Sequence, residues 1–275
     1  MRIKLTAILL LILHFQIFSQ KKIEIFPDNL TVQPFTANIL EPKLGFLFHL
    51  SKNELRLDIG NSIDVLRIKN DDETISIGAD LFTYTLLRSE KNFHFPVDAV
   101  DYLFGINSCY TKNIGDNKFG LRFRLSHISA HFVDGHFDGT NNKWRDNLNP
   151  RVYSREFIEI MPFYSVHNLR LYGGFTYIFH VDPQFIKKDN YQIGFDYFGN
   201  EFFNNNIKPF FAYDLKVIHI NNYSINHSII AGLKFGKTHG KGFSTYINFY
   251  SGKSIHGEYF DINKNYFALG INLDL

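Results

Sequence analysis

Two residues apart stand a histidine and a serine, His127 and Ser129, within the run Gly120-Leu-Arg-Phe-Arg-Leu-Ser-His-Ile-Ser-Ala-His-Phe-Val133. In an extended strand, side chains at i and i+2 lie on one face. An imidazole so placed can take the hydroxyl proton and make the serine a nucleophile. Such a pair needs a third group to orient the imidazole. Glu156, near the top of the next β-like run, lies across a hairpin from His127 and can serve. Leu121, Phe123 and Leu125 precede the pair on the same face, while Arg122, Arg124, Ser126 and Ala130 take the other. If the apolar row meets hydrocarbon, His127 and Ser129 meet it too, where polar groups are costly and need a reason. Hydrolysis of lipid is one reason. The competing reading inverts the register and places His127 in a satisfied polar network inside the protein.

A second cluster follows at once: His131, Asp134, His136 and Asp138. Imidazoles and carboxylates this dense can hold a divalent cation. Asp134-Gly135 and Asp138-Gly139 are also plain turn signals, which a solvated loop explains. No other cofactor is expected, since no phosphate-cradling glycine loop, dinucleotide fingerprint or Cys-x-x-Cys pair is present. The Gly236, Gly240, Gly242 cluster around His239 matches no nucleotide motif and reads as a hairpin turn. The sole Trp144 stands in the same loop as the Asp/His cluster, to anchor at an interface or pack the loop onto a rim. Lone Cys109 reads as a packed hydrophobe. A balance of 29 basic and 27 acidic residues gives no electrostatic case for nucleic acid.

Short β-like runs separated by Asn/Asp/Gly/Lys turns carry these residues. Twelve are expected, near 43–50, 54–67, 73–88, 97–112, 118–135, 152–166, 168–181, 190–199, 207–219, 223–236, 242–252 and 263–275. The last alternates Phe267, Leu269, Ile271, Leu273, Leu275 against Tyr266, Ala268, Gly270, Asn272, Asp274. Most runs reach the roughly 9–11 residues that a bilayer requires of a strand. Turns after even runs are short and the longest connection, Gly135 to Arg151, follows an odd run. That rhythm fits an all-β, antiparallel, up-and-down transmembrane β-barrel with both chain ends on the periplasmic side. Arg122, Arg124, Arg155 and Glu159 then face the lumen, to fill it or to line an anion path, with filling favoured in so narrow a barrel.

Residues 1–19 read as a cleaved signal peptide: Arg2 and Lys4, then an apolar core from Leu5 to Leu13 too short to span a bilayer. Residues 20–42 form an irregular, Pro-punctuated periplasmic segment that crosses or plugs the mouth, and 43–275 form the barrel. Aromatic residues make up 17% of the chain, with 30 Phe and 15 Tyr. Barrel girdles favour that composition, and so does an AT-rich genome.

Several stretches resemble a bacterial family catalogued as domain of unknown function 1207. They are Phe35-Thr-Ala-Asn-Ile-Leu-Glu-Pro-Lys-Leu-Gly45, Ser126-His-Ile-Ser-Ala-His131, Tyr153-Ser-Arg-Glu156, Leu171-Tyr-Gly-Gly174 with His180-Val-Asp-Pro183, and Tyr250-Ser-Gly-Lys-Ser-Ile-His-Gly257. The first departs from the family's Ala-Asp-Pro-Arg-Glu-Pro-like pattern except at Ala37, Glu41 and Pro42. The resemblance implies a secreted, barrel-like envelope protein and no activity. His127-x-Ser129 also resembles the arrangement in outer-membrane phospholipase A and lipid A deacylase. There an orienting Asn or Glu stands fourteen positions after the His, which here is Asn141, within a loop.

Taken whole, the sequence reads first as a non-enzymatic envelope protein, structural or a narrow pore, in a Gram-negative outer membrane. The alternative is an outer-membrane lipid acyl hydrolase with Ser129 as nucleophile, His127 as base and Glu156 or Asn141 as orienting group. In both readings its partners are membrane lipids, not nucleic acid or nucleotide.

Overall fold

Polar residues buried and apolar residues exposed are the inverse of a water-soluble protein, and much of this chain shows that inversion, alongside apolar clusters buried inside. The structure, a computed structural model, describes residues 21–41, 43–202, 207–238 and 240–274. The signal-peptide reading, Pro42, His239 and the closing Leu275 lie outside the described residues. Twelve antiparallel strands form the wall: β1 Leu44–His49, β2 Glu54–Lys69, β3 Glu73–Arg88, β4 Val97–Ile114, β5 Asn117–Phe132, β6 Tyr153–Val166, β7 Leu169–Asp182, β8 Asp189–Phe198, β9 Ile207–His219, β10 Tyr223–Gly236, β11 Gly242–Lys253 and β12 Asn263–Asp274. Each pairs with the next, and β12 closes on β1 from Ala268↔His49 to Leu273↔Leu44. The outer face carries Phe104, Ile106, Phe123, Leu125, Ile193, Phe267, Leu269, Ile271 and Leu273, all exposed. The inner face carries Arg56, Asp58, Asp80, Arg122, Arg124, Glu159, Asp214 and Lys216, all buried. Strict alternation with this sign is what hydrocarbon outside and side chains inside require.

The segment before β1 is not wholly irregular. Lys22–Ile25 is a short strand paired with the lower end of β2, from Lys22↔Lys69 to Ile25↔Leu66. Because β1 has only six residues, β2 pairs with it from Leu55 to Asp58 and next bonds on that side at Val65, whose carbonyl accepts the Phe26 N–H at 3.0 Å. In that gap Asn61 accepts from the backbone N–H of Ser62 at 2.9 Å, a local substitute for a ladder bond. The chain runs through the lumen between these two pairings. Arg170 donates to the carbonyls of Gln33 and Pro34 at 2.8 and 2.7 Å, and Arg56 donates to Ile39 at 3.2 Å. Arg67 donates to the Asn29 carbonyl. The Phe35 ring lies beneath the guanidinium groups of Arg122 and Arg170, 4.7 and 4.5 Å from its centroid. Glu41 accepts from Arg122 at 2.5 and 2.8 Å and from Arg124 at 3.0 Å. The lumen arginines therefore pin a plug as well as filling space. Glu159 joins the same network, 3.1 Å from Arg122, while Arg155 donates to the Tyr153 hydroxyl on the inner face.

At the opposite end the β11–β12 loop folds inward, and Ile255 to Phe260 are all buried. Asp101 holds it, accepting from the Gly257 N–H at 2.7 Å with His256 Nδ1 at 3.0 Å. Gly257 is required by close approach. A Cβ there would stand 2.4 Å from the Ala130 Cβ and 2.5 Å from Tyr153 Cδ1. Glu258 accepts the N–H groups of Phe132 and Arg151 at 3.0 and 3.1 Å. Burial nevertheless pushes its carboxyl above the ordinary range.

Candidate functional site on the outward face

β5 keeps one register from end to end, so its odd residues point out. Leu121, Phe123, Leu125, His127, Ser129 and His131 share the outer face, and Arg122, Arg124, Ser126, Ile128 and Ala130 are buried inside. His127 is ten residues above Asn117 at the turn end of the barrel. At ~3.3 Å per residue and a tilt of ~40°, that is about 25 Å up, the height of a typical apolar belt.

Strand pairing brings the other groups alongside. His127 is opposite Phe104 on β4 and Glu156 on β6; Ser129 is opposite Tyr102 and Ser154. The Phe104 and His127 ring centroids are 4.8 Å apart, so an apolar ring backs the imidazole. Nδ1 of His127 lies 2.6 Å from Oε1 of Glu156. The other oxygen of that carboxylate, Oε2, lies 2.5 Å from Nδ1 of His180 on β7. A carboxylate only accepts, so each imidazole donates through Nδ1 and carries its lone pair on Nε2. For His127 that nitrogen is the one able to take the proton of Ser129. Ser129 makes no side-chain hydrogen bond among the described residues. Hydrogen bonds of this kind are often loose in a free enzyme.

Sequence reasoning missed His180. Odd residues of β7 face out at Leu171, Phe175 and Tyr177, and simple alternation would turn His180 inward. A β-bulge between Ile178 and His180 shifts the register, bringing His180 opposite Glu156 and Asp182 opposite Ser154. One extra residue re-aims the side chain. Ser154 was also missed, being unremarkable until placed beside Ser129.

The remaining expected residues disperse. Asn141 donates to Asp138 at 2.7 Å inside the β5–β6 loop and makes no hydrogen bond to His127. Asp138 also accepts the N–H groups of Thr140 and Asn141, at 3.1 and 3.2 Å. Asp134 accepts the N–H of Gly135 at 3.0 Å. His131 lies outward beside Tyr102, with ring centroids 5.9 Å apart. His136 is fully buried, stacked on Phe132 at 4.1 Å and facing the Tyr259 hydroxyl at 3.2 Å. His131, Asp134, His136 and Asp138 therefore do not converge, because the strand ends between the first and the others. Among the described residues no group of three or more His, Cys, Asp or Glu is arranged to hold a metal ion. Trp144 packs the loop, edge-on to Phe137 at 5.3 Å.

Comparison with known proteins bears on the barrel. No curated protein matches the sequence. The structure is similar to outer membrane phospholipase A from Escherichia coli, with a TM-score of 0.56 and 13% identity over 89% of this chain and 94% of that one. An active-site mutant of the same enzyme at pH 6.1 gives 0.54 and 12%, over 88% and 95%. LpxR from Salmonella typhimurium gives 0.35 and 10%, over 81% and 88%, too distant to carry weight. At these identities the likeness is one of fold: a closed outer-membrane-type barrel. A model of the family described as protein of unknown function, DUF1207, matches residues 75–275. The chain belongs to that family.

Proposed function

From a family member built on an outer-membrane-type barrel, we propose a lipid acyl hydrolase in the outer membrane of a Gram-negative bacterium, working from its wall and not its lumen. One observation carries the reading. A carboxylate–imidazole pair, Glu156 to His127 at 2.6 Å, lies beside Ser129 on the outward face. The likeness to a phospholipase is one of fold, so the reading rests on this chain's residues.

The chemistry follows from the tautomer. Nε2 of His127 takes the Ser129 proton as Oγ bonds to the ester carbonyl carbon and the π pair moves to oxygen. As the carbonyl reforms, the C–O bond to the leaving alcohol breaks, and His127 returns the proton to that oxygen. Water then repeats the sequence on the acyl-serine and releases the fatty acid. Glu156 stabilises the imidazolium in both halves. Position supports the reading as well: ester linkages lie between acyl chains and headgroups, the level estimated for Ser129.

Release of fatty acid from phospholipid–detergent micelles by the refolded chain tests it. Ser129→Ala should lose on the order of 10³-fold or more while keeping the heat-modifiable gel mobility of a folded barrel. Equal release from both proteins removes the nucleophile. A second reading, a non-enzymatic envelope protein, is favoured by the free Ser129 hydroxyl and by chain filling both ends of the lumen. Absence of release by the wild-type protein would support it.

A further inference from the structure

Ester cleavage needs a hydrogen-bond donor where the carbonyl oxygen turns negative. Backbone N–H groups often supply it, but a strand inside a wall has none free. β5 is paired with β4 on one side and β6 on the other from Asn117 to Ala130, so the N–H groups around Ser129 are engaged in the ladder. The donor must then be a side chain on the outward face. Tyr102 is opposite Ser129 on β4, but its hydroxyl stands at the end of a ring longer than the gap to be bridged. His131 is two residues further up, about 7 Å along the strand. Ser154 remains. It is directly opposite Ser129 on β6 and shares its outward face. Among the described residues its side chain makes no hydrogen bond, neither to Glu156, whose oxygens face His127 and His180, nor to Asp182, opposite on β7.

We propose that Ser154 is a second catalytic residue, its hydroxyl donating to the oxyanion of each tetrahedral intermediate formed on Ser129. The proposal rests on the catalytic reading of Ser129 and His127 given above. Directly opposed residues of an antiparallel pair have Cβ atoms about 4.5–5.5 Å apart. By ordinary bond lengths, an oxyanion that shares its carbon with the Ser129 Oγ stands roughly 2.4 Å from that oxygen. A donor must come within about 2.7–3.1 Å of the oxyanion. Laid end to end, those two spans match the separation of the serines. As the Ser129 Oγ bonds to the ester carbon, the π pair moves to oxygen and the Ser154 hydroxyl bonds to it, keeping its own proton. The contact weakens when the carbonyl reforms and strengthens again as water attacks the acyl-serine.

Hydrolysis of a micellar ester and of its thiono analogue, in which sulfur replaces the carbonyl oxygen, tests the assignment. Sulfur is a weak acceptor, so the thiono ester draws little from the donor. On the oxygen ester, Ser154→Ala should lose about 10²-fold in kcat with KM within about threefold. On the thiono ester it should lose less than about tenfold, with heat-modifiable mobility retained throughout. Ser154→Thr, which keeps the hydroxyl, should recover most of the loss on the oxygen ester. A structural role would lower both esters alike, and that result overturns the proposal. So does full activity of Ser154→Ala where Ser129→Ala is inactive, which leaves the catalytic reading standing. If Ser129→Ala retains activity, the catalytic reading fails and this proposal with it.

Discussion

Glu41 and Glu156 each hold two basic side chains, in opposite surroundings. Glu41 binds Arg122 and Arg124 within the lumen, where all three are nearly or fully buried. Glu156 binds His127 and His180 on the outer face, where all three are partly exposed. Guanidinium groups stay charged at any accessible pH, so the inner triad can only hold. Imidazole is the side chain that ordinarily exchanges protons near neutrality, which is the property the proposed general base requires. The two sites share a geometry and differ in the chemical type of the partner.

Neutralising each carboxylate in turn breaks this comparison if it is wrong. Glu41→Gln removes one of the carboxylates shared by two buried guanidinium groups, leaving Glu159 to both and Asp80 to Arg124, and should cost about 1–3 kcal/mol of stability, seen as a lower temperature for loss of heat-modifiable mobility. Lipid hydrolysis by the surviving folded fraction should be little changed. Glu156→Gln should leave that temperature nearly unchanged and lower kcat by about 10²-fold, or about 2.7 kcal/mol of barrier. If the two variants exchange phenotypes, the division between holding and chemistry is wrong. A comparable effect comes from Gly257, which belongs to the holding class through its contacts with Ala130 and Tyr153. Gly257→Ala should cost about 1–3 kcal/mol by overpacking the inward loop, with hydrolysis by the folded protein unaltered.

Much of the wall was legible because two-residue alternation is imposed by hydrocarbon on one side. The expected run 73–88 is β3 Glu73–Arg88, and 223–236 is β10 Tyr223–Gly236. Outward His127 and Ser129, and Glu156 opposite, followed from the same periodicity. His180 did not, because a single bulged residue between Ile178 and His180 reverses parity and leaves no compositional mark. Residues 20–42 were expected to cross or plug the mouth, but what binds them was hidden. The binding is made of arginine-to-carbonyl bonds, such as Arg170 to Gln33 and Pro34, which any backbone can accept. The pattern of residues 26–41 carries no trace of them. Asn141 misled because sequence distance was taken for proximity, whereas a loop carries it to Asp138.

Covalent capture tests the central claim most directly. The folded barrel in detergent is treated with a long-chain alkyl fluorophosphonate, and the modified peptide is located by mass spectrometry. Labelling at Ser129 that is lost in His127→Asn and abolishes fatty acid release is the expected result. Labelling confined to Ser154, or undiminished hydrolysis after Ser129 is blocked, would contradict it.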